Sequence, residues 1–201
     1  MKPEEFKHIW TSQEDKLNPI SLNRLNGLGL SESSIEFLKT AGLPESAAPF
    51  LSFSKDTDDI YEGINILTKV YDFLEPEFEK YVVIGSCNDG DPIVINTENN
   101  DQIEHLDHED YFSSRLFNSN ISALADSIVA YRNFISLLIA EKGEDAYFDS
   151  NFTDKEFEKL KLNLKMADSK IMENNGFWAE QIEMDLGMRE DSRNKKQKPD
   201  T

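Results

Sequence analysis

The spacing of apolar residues predicts short helices at the start of the chain. Phe6, Ile9 and Trp10 recur at intervals of one helical turn, so a helix is expected there. A second helix is predicted to begin at Ser31, whose hydroxyl suits an N-cap, and to stop at Gly42, which tolerates the left-handed backbone. The first fifty residues therefore predict helices joined by loops.

The middle of the chain has the pattern of strands. Ile64, Ile66 and Thr68 alternate with their neighbours, which favours a strand. In the segment YVVIGSCNDGDPIVIN, residues 81–96, two continuous apolar runs are typical of strands that are buried on both faces. A third run around Ile103 completes a predicted antiparallel meander.

The loop inside this segment contains Asn88, Asp89, Gly90 and Asp91, which raises the question of a metal site. A calcium loop needs oxygen ligands at alternating positions and a closing bidentate Glu, but Pro92 and an apolar strand follow here. Asn, Asp and Gly are also the residues that tolerate positive φ in tight turns. The loop is therefore predicted to be a hairpin turn.

Beyond the meander the period becomes helical again. Apolar residues from Ile121 to Ile139 line one face of a long helix, with Asn118 or Ser119 as its N-cap. Thr153 and Glu156 form the capping box of a further helix, and a short last helix follows. Helices, a meander and more helices predict an α+β fold in which helices pack on one side of an antiparallel sheet.

The length of 201 residues fits one domain, which we place at residues 1–188. Residues 189–201 carry five basic side chains and are predicted to be a disordered tail. No apolar stretch approaches the roughly 20 residues that span a membrane, and the charged N-terminus lacks the apolar segment of a secretory signal. With Cys87 as the single cysteine, these features predict a cytoplasmic protein without a membrane interaction.

The formal net charge of −18 is concentrated in the middle of the chain. The stretch 56–110 contains sixteen acidic side chains and only two lysines. Such a surface repels phosphates, so direct binding of nucleic acid is not expected. Two explanations of the charge stay open, namely solubility and a surface complementary to a basic partner.

Two histidines and the cysteine are the candidates for chemistry. His105 and His108, with the acids around them, could hold a divalent ion, but their spacing joins the two rings only on a helix, and no third ligand is identifiable. Cys87 has no basic neighbours, and a nucleophilic pair with one of the histidines has no supporting signature. We therefore predict no catalytic residue, no metal ligand and no cofactor.

The order of these segments resembles the SUKH superfamily of bacterial immunity proteins, which is distantly related to the fungal cell-wall-assembly regulators. Gly85, Gly90, Asn118 and Ser119 match positions of the superfamily pattern. The resemblance covers roughly residues 30–185 and rests on a series of short motifs: AGLP (41–44), PFLSF (49–53), YVVIGSCNDGDPIVIN (81–96), QIEHLD (102–107), LFNSNISALADSIVAY (116–131) and FW (177–178).

The resemblance implies a SUKH-like fold and a protein that is not an enzyme but binds and neutralises a cognate toxin, often a nuclease or a deaminase. A basic toxin domain would be matched by acidic side chains, and we expect the contact to be made by Asp56, Asp58, Asp59, Glu62, Asp107, Glu109 and Asp110. Two alternatives stay open: a regulatory or scaffold domain for a cellular partner, and a metal-dependent hydrolase that uses His105, His108 and the carboxylates around them.

Overall fold

A computed structural model describes residues 1–12, 16–87, 90–172 and 176–197 and, of residues 195–197, the backbone alone. In chain order the elements are α1 (Pro3–Thr11), β1 (Leu17–Asn18), α2 (Leu22–Leu25), α3 (Glu32–Thr40), β2 (Leu43–Pro44), β3 (Ser46–Ala47), β4 (Leu51–Phe53), β5 (Asn65–Ile66), α4 (Leu67–Val70), a 3₁₀ helix (Pro76–Lys80), β6 (Tyr81–Ser86), β7 (Pro92–Asn96), β8 (Gln102–Asp107), β9 (Ser113–Asn118), α5 (Ile121–Lys142), α6 (Asp154–Ala167) and α7 (Phe177–Gln197).

The main sheet is antiparallel, with the strand order β3-β4-β6-β7-β8-β9 and β5 paired to β6. The last four strands of this order follow one another along the chain, which is the predicted meander. The hairpin of β6 and β7 is present, and Tyr81 lies opposite Asn96 at its open end. Asn88 and Asp89 of its loop lie outside the described residues. The predicted α+β fold is confirmed.

Both faces of the sheet are covered, as the continuous apolar runs predicted. Val82, Ile84 and Ile95 belong to the main core, together with side chains of α1, α3 and α5. Their neighbours Tyr81 and Val83 point to the other face and join a second cluster with Leu67, Val94, Leu106 and Phe112. The alternation of side chains along a strand explains why adjacent apolar residues serve two cores.

The second face is covered by α4 and the 3₁₀ helix, a segment whose first part was predicted to be a strand. Only Asn65 and Ile66 pair with β6, and the chain turns helical at Leu67. Leu67 is fully buried in the second cluster, with Val70 packed against it. The alternation at residues 64–68 was therefore misleading, because the burial of Leu67 and Val70 favours a helical turn at that edge.

Two glycines allow close approach between elements. Gly42 ends α3 with φ +67°, as predicted, and a Cβ there would lie 1.9 Å from the carbonyl oxygen of Asn18. In β6, a Cβ on Gly85 would lie 2.2 Å from the carbonyl oxygen of Ser52 in β4. A larger residue at Gly85 would push these paired strands apart, so the close pairing of β4 with β6 requires glycine at this position.

The long helix α5 is the centre of the main core. Its N-cap is Asn120, whose side chain accepts a 3.0 Å hydrogen bond from the Ala123 N–H, so the predicted cap at Asn118 or Ser119 was placed too early. α5 has 22 residues and contains an 18-residue window with a mean hydropathy of 1.4, so it is long and apolar enough to cross a membrane, contrary to the expectation from the sequence. More than half of this window, 56%, is buried inside the fold, and α5 supplies many side chains of the main core.

The last two helices close the domain. The capping box of Thr153 and Glu156 is present at the start of α6, as predicted. In α7 the helix continues to Gln197, whereas the sequence predicted a disordered tail from residue 189. Arg189 is the reason, because its guanidinium lies over the ring of Phe152 at 5.0 Å and forms a 2.8 Å ion pair with Asp154. Residues 198–201 lie outside the described residues.

Candidate functional site

The turn between β8 and β9 holds three of the acids that were predicted to bind a partner. Asp107 Oδ1 accepts hydrogen bonds from the backbone N–H groups of Glu109 and Asp110, at 3.0 and 3.1 Å, and its other oxygen lies 3.2 Å from Arg115. Glu109 and Asp110 are exposed, and within the described part of the chain neither forms an ion pair with a lysine or arginine. Asp107 therefore stabilises the turn, whereas Glu109 and Asp110 carry the negative charge that the turn exposes to solvent.

The loop between β4 and β5 holds the remaining four predicted acids. Arg24 forms ion pairs with Asp56 at 3.0 Å and with Asp58 at 2.6 Å, and Lys55 lies 3.5 Å from Glu62. Asp59 accepts hydrogen bonds from two backbone N–H groups of its own loop, which lower the pKa of its carboxyl group. The charge of this loop is thus partly compensated, unlike that of Glu109 and Asp110.

Exposed aromatic side chains connect the two acidic segments. Tyr61, Phe73 and Tyr111 are 77%, 72% and 92% exposed. Tyr71 packs edge-on against Phe112, with ring centroids 4.9 Å apart. Tyr71 also lines a cleft of about 370 Å³ together with Tyr61 and Glu62. We call this surface, made of residues 56–62, 71–73 and 107–112, the acidic–aromatic face.

A second cluster forms where the hairpin loop meets β8. Cys87 follows β6 directly and Asp91 precedes β7, and the backbone joins them through the Cys87 N–H to the Asp91 carbonyl at 3.0 Å. Gly90 takes φ +84° between them. His105 of β8 places Nε2 at 3.5 Å from Cys87 Sγ and 3.1 Å from Asp91 Oδ2. His108 binds the other oxygen of Asp91 through its Nδ1, at 2.5 Å.

The pKa values of the two histidines are shifted in opposite directions because their surroundings differ. Burial lowers the pKa of His105, which is 7% exposed. The hydrogen bond to Asp91 raises the pKa of the more exposed His108. Burial alone would raise the pKa of Asp91, but the hydrogen bonds from His108 and the charges of both histidines outweigh it, and the pKa is lowered. An anionic carboxylate between two imidazoles results.

The arrangement does not match a nucleophilic triad. In such a triad the thiol and the carboxylate contact different ring nitrogens of the histidine, which the carboxylate orients. Here Cys87 and Asp91 both face Nε2 of His105, while its Nδ1 is buried without a hydrogen-bond partner. The two histidines also do not face a common point at which both could bind one metal ion, because His105 contacts Oδ2 of Asp91 and His108 contacts Oδ1.

Both histidines were predicted as candidates, but their contacts with Cys87 and Asp91 were not predicted. His105 is buried. Asp91 was assigned to the hairpin turn, although it is itself buried against the next strand. The strand register contained the signal, since Ile93 lies opposite His105 and Asp91 comes two residues before Ile93. That register could not be known before the lengths of both turns were known.

A protein-family model described as SUKH-4 immunity protein matches residues 13–184. The match includes the acidic–aromatic face and the cluster of Cys87, Asp91 and the two histidines. It confirms the resemblance to the SUKH superfamily that the order of motifs indicated. No curated protein and no solved structure matches the chain.

Proposed function

Since the chain belongs to the SUKH-4 immunity protein family, we propose that it binds a cognate toxin domain and blocks it through the acidic–aromatic face. Binding rather than catalysis is the mode of action in this proposal. The toxin would be met in the cytoplasm of the cell that makes the immunity protein.

The observation that supports this surface is the combination of uncompensated acids with exposed aromatic rings. Phe73 and Tyr111 are large side chains that are mostly in contact with solvent, and the acids Glu109 and Asp110 lie beside Tyr111. Aromatic residues are enriched among those that dominate binding energy at protein interfaces, and charges at the rim favour encounter with the right partner. Solubility alone would explain the acids but not the exposed rings.

The charge indicates the chemistry of the partner. A toxin that acts on nucleic acid needs a basic cleft to hold phosphates. An acidic face could occupy such a cleft, and attraction between opposite charges raises the association rate. We therefore propose a basic nuclease or deaminase domain as the partner, and we expect no binding of nucleic acid by the chain itself.

Co-expression with the toxin domain encoded beside this gene tests the proposed function. We expect growth to be restored in cells that express both proteins, and an inactive variant of the toxin to co-purify with this chain as a stable complex. A toxin that kills cells despite abundant, folded chain would contradict the proposal. In that case a regulatory or scaffold domain for a cellular partner becomes the better explanation.

A further inference from the structure

The side chains of Cys87, Asp91 and His105 form a compact cluster outside the acidic–aromatic face. The Cys87 Sγ, a carboxylate oxygen of Asp91 and a ring nitrogen of His105 all lie within 4.8 Å of one another. In a tetrahedral zinc site, bonds of about 2.3 Å to sulfur and about 2.0–2.2 Å to nitrogen and oxygen put neighbouring ligand atoms roughly 3.3–3.6 Å apart. The observed separations of 3.5 Å from Sγ to Nε2 and 3.1 Å from Nε2 to Oδ2 are close to those edges.

We propose that Cys87, Asp91 and His105 form a binding site for a divalent transition-metal ion of the zinc class. The donor set decides the class of ion. Mg²⁺ and Ca²⁺ prefer oxygen ligands, whereas a thiolate, an imidazole and a carboxylate together favour Zn²⁺ or Co²⁺. Cys87 Sγ and Asp91 Oδ2 both face Nε2 of His105, but this nitrogen can donate a single hydrogen bond and so can serve one of them at a time. A cation between the three atoms would bind all of them.

His108 is a positioning residue in this site. Its backbone N–H and its ring Nδ1 both bind Oδ1 of Asp91, the backbone group at 2.9 Å. These two contacts fix the carboxylate so that Oδ2 is directed at His105. Partners that orient a metal-binding carboxylate in this manner commonly change metal affinity by about 10–100-fold when they are removed.

The fourth coordination position opens into a cleft. The cleft has a volume of about 640 Å³ and is lined by the three ligands, by His108 and by apolar side chains of α7 that include Phe177 and Met184. Within the described residues, three side chains supply the converging ligand atoms. Sites with three protein ligands and one open position exchange their fourth ligand, so water or a small anion would occupy it.

The test uses the full chain, purified under reducing conditions and stripped with a chelator. Zn²⁺ is titrated by competition with a chromophoric chelator, and Co²⁺ serves as a spectroscopic substitute. We expect one ion per chain and a cobalt spectrum that combines tetrahedral ligand-field bands with a thiolate-to-cobalt charge-transfer band. The charge-transfer band reports Cys87 directly, because it is the single cysteine.

Variants separate this site from weak binding elsewhere. Cys87→Ser should remove the charge-transfer band, and His105→Gln should weaken Zn²⁺ binding by more than about 100-fold. His108→Gln should weaken binding by about 10–100-fold and keep the band. His8→Gln, which alters an exposed histidine of α1, is the control and should change neither measurement.

Metal-free samples of each variant are compared by circular dichroism, and Asp91→Asn replaces His105→Gln if the latter does not fold. A folded, reduced wild-type chain that binds Zn²⁺ no better than Cys87→Ser and the folded ligand variant overturns the proposal. A cobalt complex without the charge-transfer band overturns it as well.

Discussion

At the scale of single residues, Asn118 connects three elements of the fold. Its side chain is fully buried, and its amide nitrogen donates a 3.0 Å hydrogen bond to Ser127 of α5. Its amide oxygen accepts a 3.0 Å hydrogen bond from the indole N–H of Trp178 in α7. Because an amide has both a donor and an acceptor, one residue of β9 joins two helices to the sheet.

We predict that Asn118→Ala lowers the free energy of unfolding by about 2–3 kcal/mol, because the buried N–H of Trp178 loses its acceptor. Asn120→Ala, which removes the N-cap of α5, is the matched control and should cost about 1 kcal/mol. Denaturant unfolding of both variants measures the difference. Equal losses in the two variants would mean that Asn118 does not have this connecting role.

Asn118 was recognised from the sequence as a matching position of the family pattern, but its predicted role as an N-cap of α5 was wrong. Residue type and local spacing allow a cap at Asn118, Ser119 or Asn120, and they do not distinguish between them. The contact of Asn118 with Trp178 joins residues sixty positions apart. The same limit applies to Asp91, whose partners His105 and His108 become visible only when the strands are paired.

Among the elements, α7 is attached to the core by a buried carboxyl group. Asp185 accepts hydrogen bonds from the hydroxyl groups of Tyr131 and Tyr147, at 2.5 and 3.1 Å, and from the Gln181 amide at 3.0 Å. Burial raises the pKa of Asp185, and the three hydrogen bonds oppose this effect without cancelling it. The attachment of α7 to α5 is therefore sensitive to pH.

Because the folded chain holds the proton of Asp185 to a higher pH than the unfolded chain does, its contribution to stability is complete below about pH 4, near the unfolded pKa. The contribution declines as the pH rises through the folded pKa. We predict that Asp185→Asn removes this decline, so the variant gains stability relative to the wild type as the pH increases. Unfolding free energies measured across that range should show the divergence.

Glu183→Gln, which alters an exposed acid of α7, is the control and should follow the wild-type pH dependence. If Asp185→Asn and the wild type lose stability in parallel as the pH rises, Asp185 is not the group that titrates.

Local pattern predicted the order of helices and strands correctly, and it failed where distant contacts decide the structure. The Ser31 cap, the capping box at Thr153 and the meander are encoded by neighbouring residues. The extension of α7 to Gln197 depends instead on Arg189 meeting Phe152 and Asp154. A run of basic residues looks like a solvated tail unless the surface that receives it is known.

For the molecule as a whole, the distribution of charge matters more than its total of −18. Composition predicted an acidic surface, but it could not show which acids share a face. Tyr71 connects the two acidic segments because the chain after β5 folds into α4 rather than continuing as a strand. Arg24 and Lys55 reduce the charge of the 56–62 loop, which leaves Glu109 and Asp110 as the stronger candidates for steering a basic partner.

The proposed function requires the acidic–aromatic face to bind a basic toxin domain. Stopped-flow association with an inactive variant of the toxin encoded beside this gene measures that binding. The control is a second double charge reversal, Glu79→Lys with Glu98→Lys, in exposed residues near the Tyr81–Asn96 end of the hairpin, away from the Asp107 turn. We predict that Glu109→Lys with Asp110→Lys slows association about tenfold at low salt and flattens its salt dependence, while the control stays within about twofold of the wild type. Equal rates for the two double variants would mean that Glu109 and Asp110 do not steer the partner and that the toxin binds another surface.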